Sequence, residues 1–360
     1  MSGNVKAQII HGVVHDIRLS EPVVYVDNQA RGRSGHMSHA MAEVEPGKLI
    51  DFNSNCSGIR GQGHSAFGWI EYRYSTDGGE NFGELYELPY AKKEFVDGMN
   101  TVSVEKAVVC PNGTLIAFCH RNTTFREISC EPFDIPAYVR SFDGGKTWTE
   151  AKFLSEYAGR MYDAMYWNDA VYVLEFCNDA DVIFTGTRPE DLYRLYKSDD
   201  NGETFYELSV VGFPSTKDLG YGNMTVSPEG NLIVYAYNIE DEVNLSYAVS
   251  ADGGKTWCET GKSYVANRIR NPQVGILDGQ YILHGRAGAK GFVLYTSADG
   301  IHWDEGTMLD TEKGGCYYSN NIVLDNPHKP GKKRMLVQYS ESYELARVNI
   351  MHMMIETIEE

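Results

Sequence analysis

The chain has 360 residues, of which 50 are acidic and 32 basic, giving a net charge of −18. That balance speaks against nucleic acid and anionic membrane as partners, while leaving room for a small anionic ligand in a locally basic pocket. No stretch approaches the ~18 apolar residues of a membrane helix, and the opening MSGNVKAQ lacks the charged and apolar parts of a signal peptide. The expected location is cytoplasmic, or secreted if a leader precedes this sequence.

In chain order, the first β-rich segment is IIHGVVHDIRLSEPVVYV, which has no turn-bounded unit of its own. HMSHAMAEV follows as a strand, and FGWIEYRY then leads into STDGGENF at Ser75 to Phe82 and ELYELPY. The second unit reads VSVEKAVVCPNGTLIAFCH, IPAYVR, SFDGGKTW at Ser141 to Trp148, and EAKFLS. The third holds GRMYDAM, LYRLYK and SDDNGETF at Ser198 to Phe205. The fourth reads YGNMTVSPEGNLIVYAYN, NLSYAV and SADGGKTW at Ser250 to Trp257. The fifth reads NPQVGILDGQYILHG, GFVLYT and the worn SADGIHW at Ser297 to Trp303. YYSNNIVLDN, KRMLVQYS and LARVNIMHMMIET close the chain without such a box.

A self-similar turn at regular intervals is the mark of an array. Asp followed by Gly-Gly makes a tight turn, because the Asp side chain can bond nearby amides and glycine tolerates positive φ. Asn-Gly, Glu-Gly and Asp-Gly upstream of the boxes separate pairs of strand-like runs, as hairpin turns do. Each unit thus holds three strands before the box and one after, which describes a propeller blade. The sixth unit lacks a fourth strand, and the N-terminal segment can supply it, closing the ring and covering exposed edges. The expected fold is all-β: one domain over residues 1–360, a six-bladed β-propeller with four antiparallel strands per blade. The seven cysteines, at positions 56, 110, 119, 130, 177, 258 and 316, include no CxxC pair and are expected as free thiols.

The S-x-D-G-G-x-T-W boxes resemble the Asp boxes of the sialidase (neuraminidase) superfamily, whose catalytic domain is a six-bladed propeller, and the resemblance covers nearly the whole chain. It implies a site on the face opposite the boxes, formed by loops entering the inner strands and loops between second and third strands. It also implies three arginines on a substrate carboxylate, a Tyr nucleophile paired with a Glu, an Asp acid/base and a Glu supporting one Arg. Guanidinium forks grip a carboxylate bidentately, and a Tyr needs a base nearby to become a nucleophile.

By that resemblance Tyr318, followed by Ser319, matches the nucleophile, with Tyr317 as the alternative; Arg270 matches one clamp residue, with Arg268 close behind; Glu341 falls near the supporting Glu. Elsewhere the sequence departs from the pattern. His36 and His39 stand where the first Arg is expected, Asn223 and Tyr237 where the fourth blade offers Glu and Arg, and Arg60 and His64 where the first blade carries its Asp. The available replacements are Arg60, Arg121 and Arg286, joining Arg270 against a carboxylate, and His39 or His64 as a proton shuttle near neutral pH. Asp163 beside Tyr162 is a carboxylate on an inner strand suited to acid or base work, and Tyr221 lies on an entering segment. No cofactor is implied, and HxxH on a strand lacks the helical spacing of a metal pair. The leading expectation is an exo-acting hydrolase on a terminal acidic sugar, sialic acid or a relative. The alternatives are another acidic-sugar enzyme, such as a lyase or a uronate or rhamnose-type glycosidase, and a glycan-binding propeller without catalysis.

Overall fold

A computed structural model describes residues 4–35, 39–57, 68–95, 100–123, 134–178, 185–288, 291–310, 317–344 and 347–358, without the side chains of His39, Ser57 and Thr123. Six antiparallel sheets form a ring. Their innermost strands are His39–Glu45, Asn100–Val109, Gly159–Trp167, Leu219–Val226, Arg270–Leu277 and Ser319–Asp325, each in contact with the next and the last with the first. The chain folds as the sequence predicts, six blades of four strands, with the boxes between the third and fourth strands of blades 1 to 5.

Burial follows from blades packing face to face. The second strand of blade 3, Ala170–Cys177, is buried at every position, whereas its outermost strand, Tyr206–Val210, is largely exposed. Inner strands of this kind read as continuous apolar runs, because neither face meets water. The sixth blade is completed from the other end of the chain: Ile17–Leu19 pairs with Ile355 to Thr357, and Val23–Val26 covers the same strand at Ile350 to His352. The ring of Tyr25 stacks on His352 at 4.0 Å, and His352 Nε2 lies 3.0 Å from Asp51 Oδ2 of blade 1. Thus the closing seam is tied by a buried polar chain as well as by backbone pairing.

The boxes are clamps between blades. In blade 2, Ser141 Oγ donates to Asp143 Oδ1 at 2.8 Å and accepts from Gly145 N at 2.7 Å. Asp143 then accepts from the backbone of Lys146 and Thr147 and from Thr147 Oγ1. These bonds hold its carboxyl down at about 2. Gly144 and Gly145 have φ of 70° and 92°, which suits glycine alone in so tight a loop. Tyr72 and Tyr74 of blade 1 donate to the carbonyls of Gly145 and Gly144, and Trp148 Nε1 donates to Tyr72 Oη. Other boxes dock the same way: Tyr138 of blade 2 donates to Glu203 O, and Tyr235 of blade 4 to Gly300 O. Blade 1's own box receives Arg334 of blade 6 at Gly78 O. Since Ser141 is fully buried, Ser141→Ala is expected to lower stability by about 1–2 kcal/mol, read as a shifted urea midpoint with unchanged slope.

Among the described residues Cys56, Cys110, Cys119, Cys177 and Cys258 are free thiols; Cys130 and Cys316 lie outside the described residues. No helix among the described residues is long and apolar enough to cross a membrane.

Candidate functional site

On the face opposite the boxes, a narrow cleft at the axis, about 20 Å³ and so wide enough for one small group, is lined by Glu105, Tyr221, Asn271, Gln273, Tyr318, Ser319 and Asn320. Its walls are set by β-bulges. The pairing of inner and second strands shifts register between Phe118 and Cys119 in blade 2, which leaves Glu105 as the extra residue. In blade 3 the extra residue is Tyr162, in blade 4 Gly220 and Tyr221 oppose Tyr237, and in blade 5 Asn271 and Pro272 oppose Gly285. A bulge bends the strand and re-aims a side chain. Three residues aimed this way, Glu105, Tyr221 and Asn271, reach the cleft. Pro272 has no N–H to lose from the ladder, which suits the bulge.

Left-handed backbone at non-glycine residues marks the same rim. Asp218, Glu242, Arg268 and Asn271 have φ of 61°, 56°, 64° and 52° on the segments around the fourth and fifth inner strands. Such strain costs of order 1–3 kcal/mol per residue and collects at binding and catalytic sites.

Tyr318 is 7% exposed, its ring 6.0 Å from that of Tyr221, with the Arg286 guanidinium carbon 5.9 Å away. Tyr317 points the other way: it is buried, stacks on Phe292 between blades 5 and 6, and donates to Asp310. Of the two tyrosines, Tyr318 therefore faces the axis. Likewise Arg270 turns inward to pair with Glu242, while Arg268 is exposed. Tyr162 is buried against Phe176, Tyr193 and Tyr221 and shapes the wall from behind.

Beside Tyr221 lies a charged group that sequence reasoning passed over. Arg160, which is 2% exposed, donates to Tyr221 Oη and, 3.1 Å away, to Glu105 Oε2. Burial pushes the Glu105 carboxyl up, but the Arg160 charge and His120 outweigh it and hold it at about 2. Burial acts on His120 in the opposite sense and lowers it, so its imidazole is neutral at physiological pH. Glu105 is thus a permanent anion on the blade 2 wall.

Asp163 is buried on the inner strand of blade 3. Its Oδ2 accepts from Asn223 Nδ2 and Met224 N at 2.7 Å each, and its Oδ1 lies 2.9 Å from Ala164 N and 3.1 Å from Lys106 Nζ. Lys106 also donates to Gln273 and Asn320 at 2.8 Å each, so one ammonium ties the inner strands of blades 2, 3, 5 and 6. Burial raises the Asp163 pKa above the usual carboxylate range, against the pull of Lys106.

Two predicted residues lie apart from this group. Arg121 is held on blade 2 by Glu94 and Asp134, each at 2.8 Å. Glu341 accepts from Asn4 N at 2.9 Å, and its pKa is raised by burial and then by Asp310, on the Tyr317 side of blade 6. His39 opens the first inner strand opposite Asn53; its side chain, with Arg60 and His64, lies outside the described residues. Several buried polar atoms around Arg270 have no protein partner among the described residues: Asn271 Nδ2, Arg286 Nε and Glu242 Oε2. No cluster of three metal-binding side chains occurs among the described residues.

The BNR/Asp-box repeat family matches residues 139–150. No curated protein matches the sequence. In structure the chain is similar to a protein of unknown function from Dyadobacter fermentans, with 18% identity and a TM-score of 0.70 over 95% of this chain and 99% of that one. It is similar to the Hadza microbial sialidase Hz136, with 15% identity and a TM-score of 0.70 over 94% and 69% of the two chains. It also resembles the intramolecular trans-sialidase of Ruminococcus gnavus, solved with oseltamivir carboxylate, with 12% identity and a TM-score of 0.60 over 89% and 94%.

Proposed function

On this sialidase-like Asp-box propeller, we propose an exo-acting glycoside hydrolase whose axial face takes a terminal sugar carrying a carboxylate, one substituent of it entering the narrow cleft. The observation that carries the reading is the meeting, around the cleft, of a phenol, Tyr318, with a fixed anion, Glu105, and with Arg286, whose buried Nε has no partner among the described residues. Arg286, assisted by Arg270, grips the sugar carboxylate through charge-assisted bonds. Tyr318 Oη attacks the anomeric carbon as the glycosidic C–O bond breaks, the phenol proton passing by way of Glu105 to the departing oxygen; water then releases the sugar, and one of its protons returns to the tyrosine. Glu105 stands in for the carboxylate that the fourth blade lacks. Because Arg160 keeps it ionised, Glu105 is an anion able to receive the phenol proton as the new bond forms and to pass it on, a weak base whose charge also steadies the developing cation. Asp163, the acid/base candidate in the sequence, has both oxygens bonded; its share in the reading is to hold the axial floor.

A glycan-binding propeller without turnover is the second reading. It is favoured by the pairing of Arg160 with Glu105 and of Arg270 with Glu242, which neutralises two of the cations before any ligand arrives. The test is release of fluorophore from a panel of sialosides and uronosides. Hydrolysis by the wild type, with Tyr318→Phe slower by at least ~10³-fold, is the expected result. A glycan-array signal with no turnover on any member selects the second reading, and turnover unaffected by Tyr318→Phe removes the tyrosine from the chemistry.

A further inference from the structure

Behind Ser319 the structure holds a chain of three side chains, two of them buried and Asn321 half-buried, that neither box nor clamp explains. His284, on the second strand of blade 5, is 1% exposed. Its Nδ1 lies 2.9 Å from Ser319 Oγ and its Nε2 lies 2.9 Å from Asn321 Nδ2. An amide nitrogen only donates, so Nε2 is the acceptor, and the neutral ring must carry its proton on Nδ1. Burial and then the charge of Lys106 push the imidazolium down to about 3, which keeps the ring neutral at working pH. With the Asn321 amide nitrogen on His284, its Oδ1 is turned toward Gly275, where an added Cβ would collide with it. Nδ1–H therefore donates to Ser319 Oγ, and the hydroxyl proton of Ser319 has to point elsewhere. Ser319 lines the cleft.

We propose that the Asn321–His284–Ser319 relay fixes the Ser319 hydroxyl as a hydrogen-bond donor into the cleft, where with Asn271 Nδ2 it recognises an acceptor oxygen of the ligand, a carboxylate or carbonyl. Asn271 is 5% exposed, lines the same cleft, and its amide nitrogen has no protein partner among the described residues. The walls thus differ in polarity, with donors on blades 5 and 6 and the anionic acceptor Glu105 on blade 2. A sugar bearing an acceptor substituent on one side and hydroxyls on the other matches that division. The inference deepens the glycoside reading of this cleft and rests on it for the ligand class. Ser319, His284 and Asn321 are here positioning and recognition residues, separate from the bond-breaking step.

The tautomer is measured on the wild-type protein by long-range nitrogen-15 correlation spectra, the His284 signals being assigned by their loss in His284→Gln. Nδ1–H is the expected state, and Asn321→Asp, whose carboxylate demands a proton on Nε2, is expected to switch it. An Nε2–H ring in the wild type overturns the relay whatever the protein binds. With N-acetylneuraminic acid as probe, Ser319→Ala is expected to weaken binding about 10-fold, as loss of one hydrogen bond does, and Ser319→Thr to restore it. Equal affinity of wild type and Ser319→Ala overturns the recognition role. Absence of binding by the wild type counts against the sialic acid reading, and the histidine spectrum then decides the relay by itself.

Discussion

Lys106→Met is expected to destabilise the fold by about 3–5 kcal/mol, because removing one partner from a buried ion pair strands the other. Nζ of Lys106 bonds Asp163, Gln273 and Asn320 in the interior of the ring, and the lysine and aspartate side chains are only 14% and 7% exposed. Methionine fills the volume but takes the ammonium away from a carboxylate and two amide oxygens. Asp163 keeps its bonds from Asn223, Met224 and Ala164, so the damage falls on charge balance and on the contact among four blades. Lys106→Met combined with Asp163→Asn is expected to recover much of the loss, since the uncompensated charge is gone. Urea midpoints of the two variants, taken with the wild type, check this. A loss below ~1 kcal/mol in the single variant would mean that water reaches the ion pair and the ammonium ties nothing together.

The second large effect is a dependence on pH. Glu175, on the second strand of blade 3, is fully buried; its Oε1 accepts from Ser155 Oγ at 3.2 Å, while Oε2 has no protein partner among the described residues. Burial lifts its pKa from 4.5 to about 8. A carboxyl raised on folding binds its proton more tightly in the native state. Its contribution is therefore fully present below pH 4.5 and is lost as pH rises through about 8. The full span corresponds to roughly 4–5 kcal/mol as an upper figure, since a tenfold change in proton affinity is worth about 1.36 kcal/mol. Glu175→Gln, which keeps shape and neutrality, is expected to flatten the decline that runs from pH 4.5 to about pH 8, while leaving stability near pH 4 close to that of the wild type. Equal slopes in the two proteins would show that Glu175 ionises with little cost, through water reaching Oε2.

The parts of this molecule that repeat were legible, and the parts that break the repeat were not. Asp-Gly-Gly turns, hairpin glycines and apolar runs carry local signals, so six units and a borrowed strand follow from the sequence. Tyr318 was legible through its neighbours in the chain, and the alternating pleat explains why Tyr317, one residue earlier, faces Phe292 instead. Glu105, Asn271 and the inward turn of Tyr221 depend on bulges, and an extra residue in one strand shifts the alternation without leaving a mark in composition. Arg160 stood in plain view at the head of GRMYDAM, but its partner Glu105 is on another blade, and only the ring brings them together. His284 reads as one more strand residue until Ser319 and Asn321 are seen beside it.

The seam in blade 6 sets an order of events during synthesis. Met354 N donates to Ser20 Oγ across 334 residues of chain, a span that makes this pairing among the slowest to find by diffusion. While the ribosome is still at work, blades 1 to 5 can each zip locally, yet the ring stays open like a fan, with the Ile17–Leu19 strand waiting for its mate. Circularly permuted genes that start inside blade 3 would turn that final join into an early hairpin-like event. They offer a direct way to slow or hasten closure without altering a single contact in the finished ring.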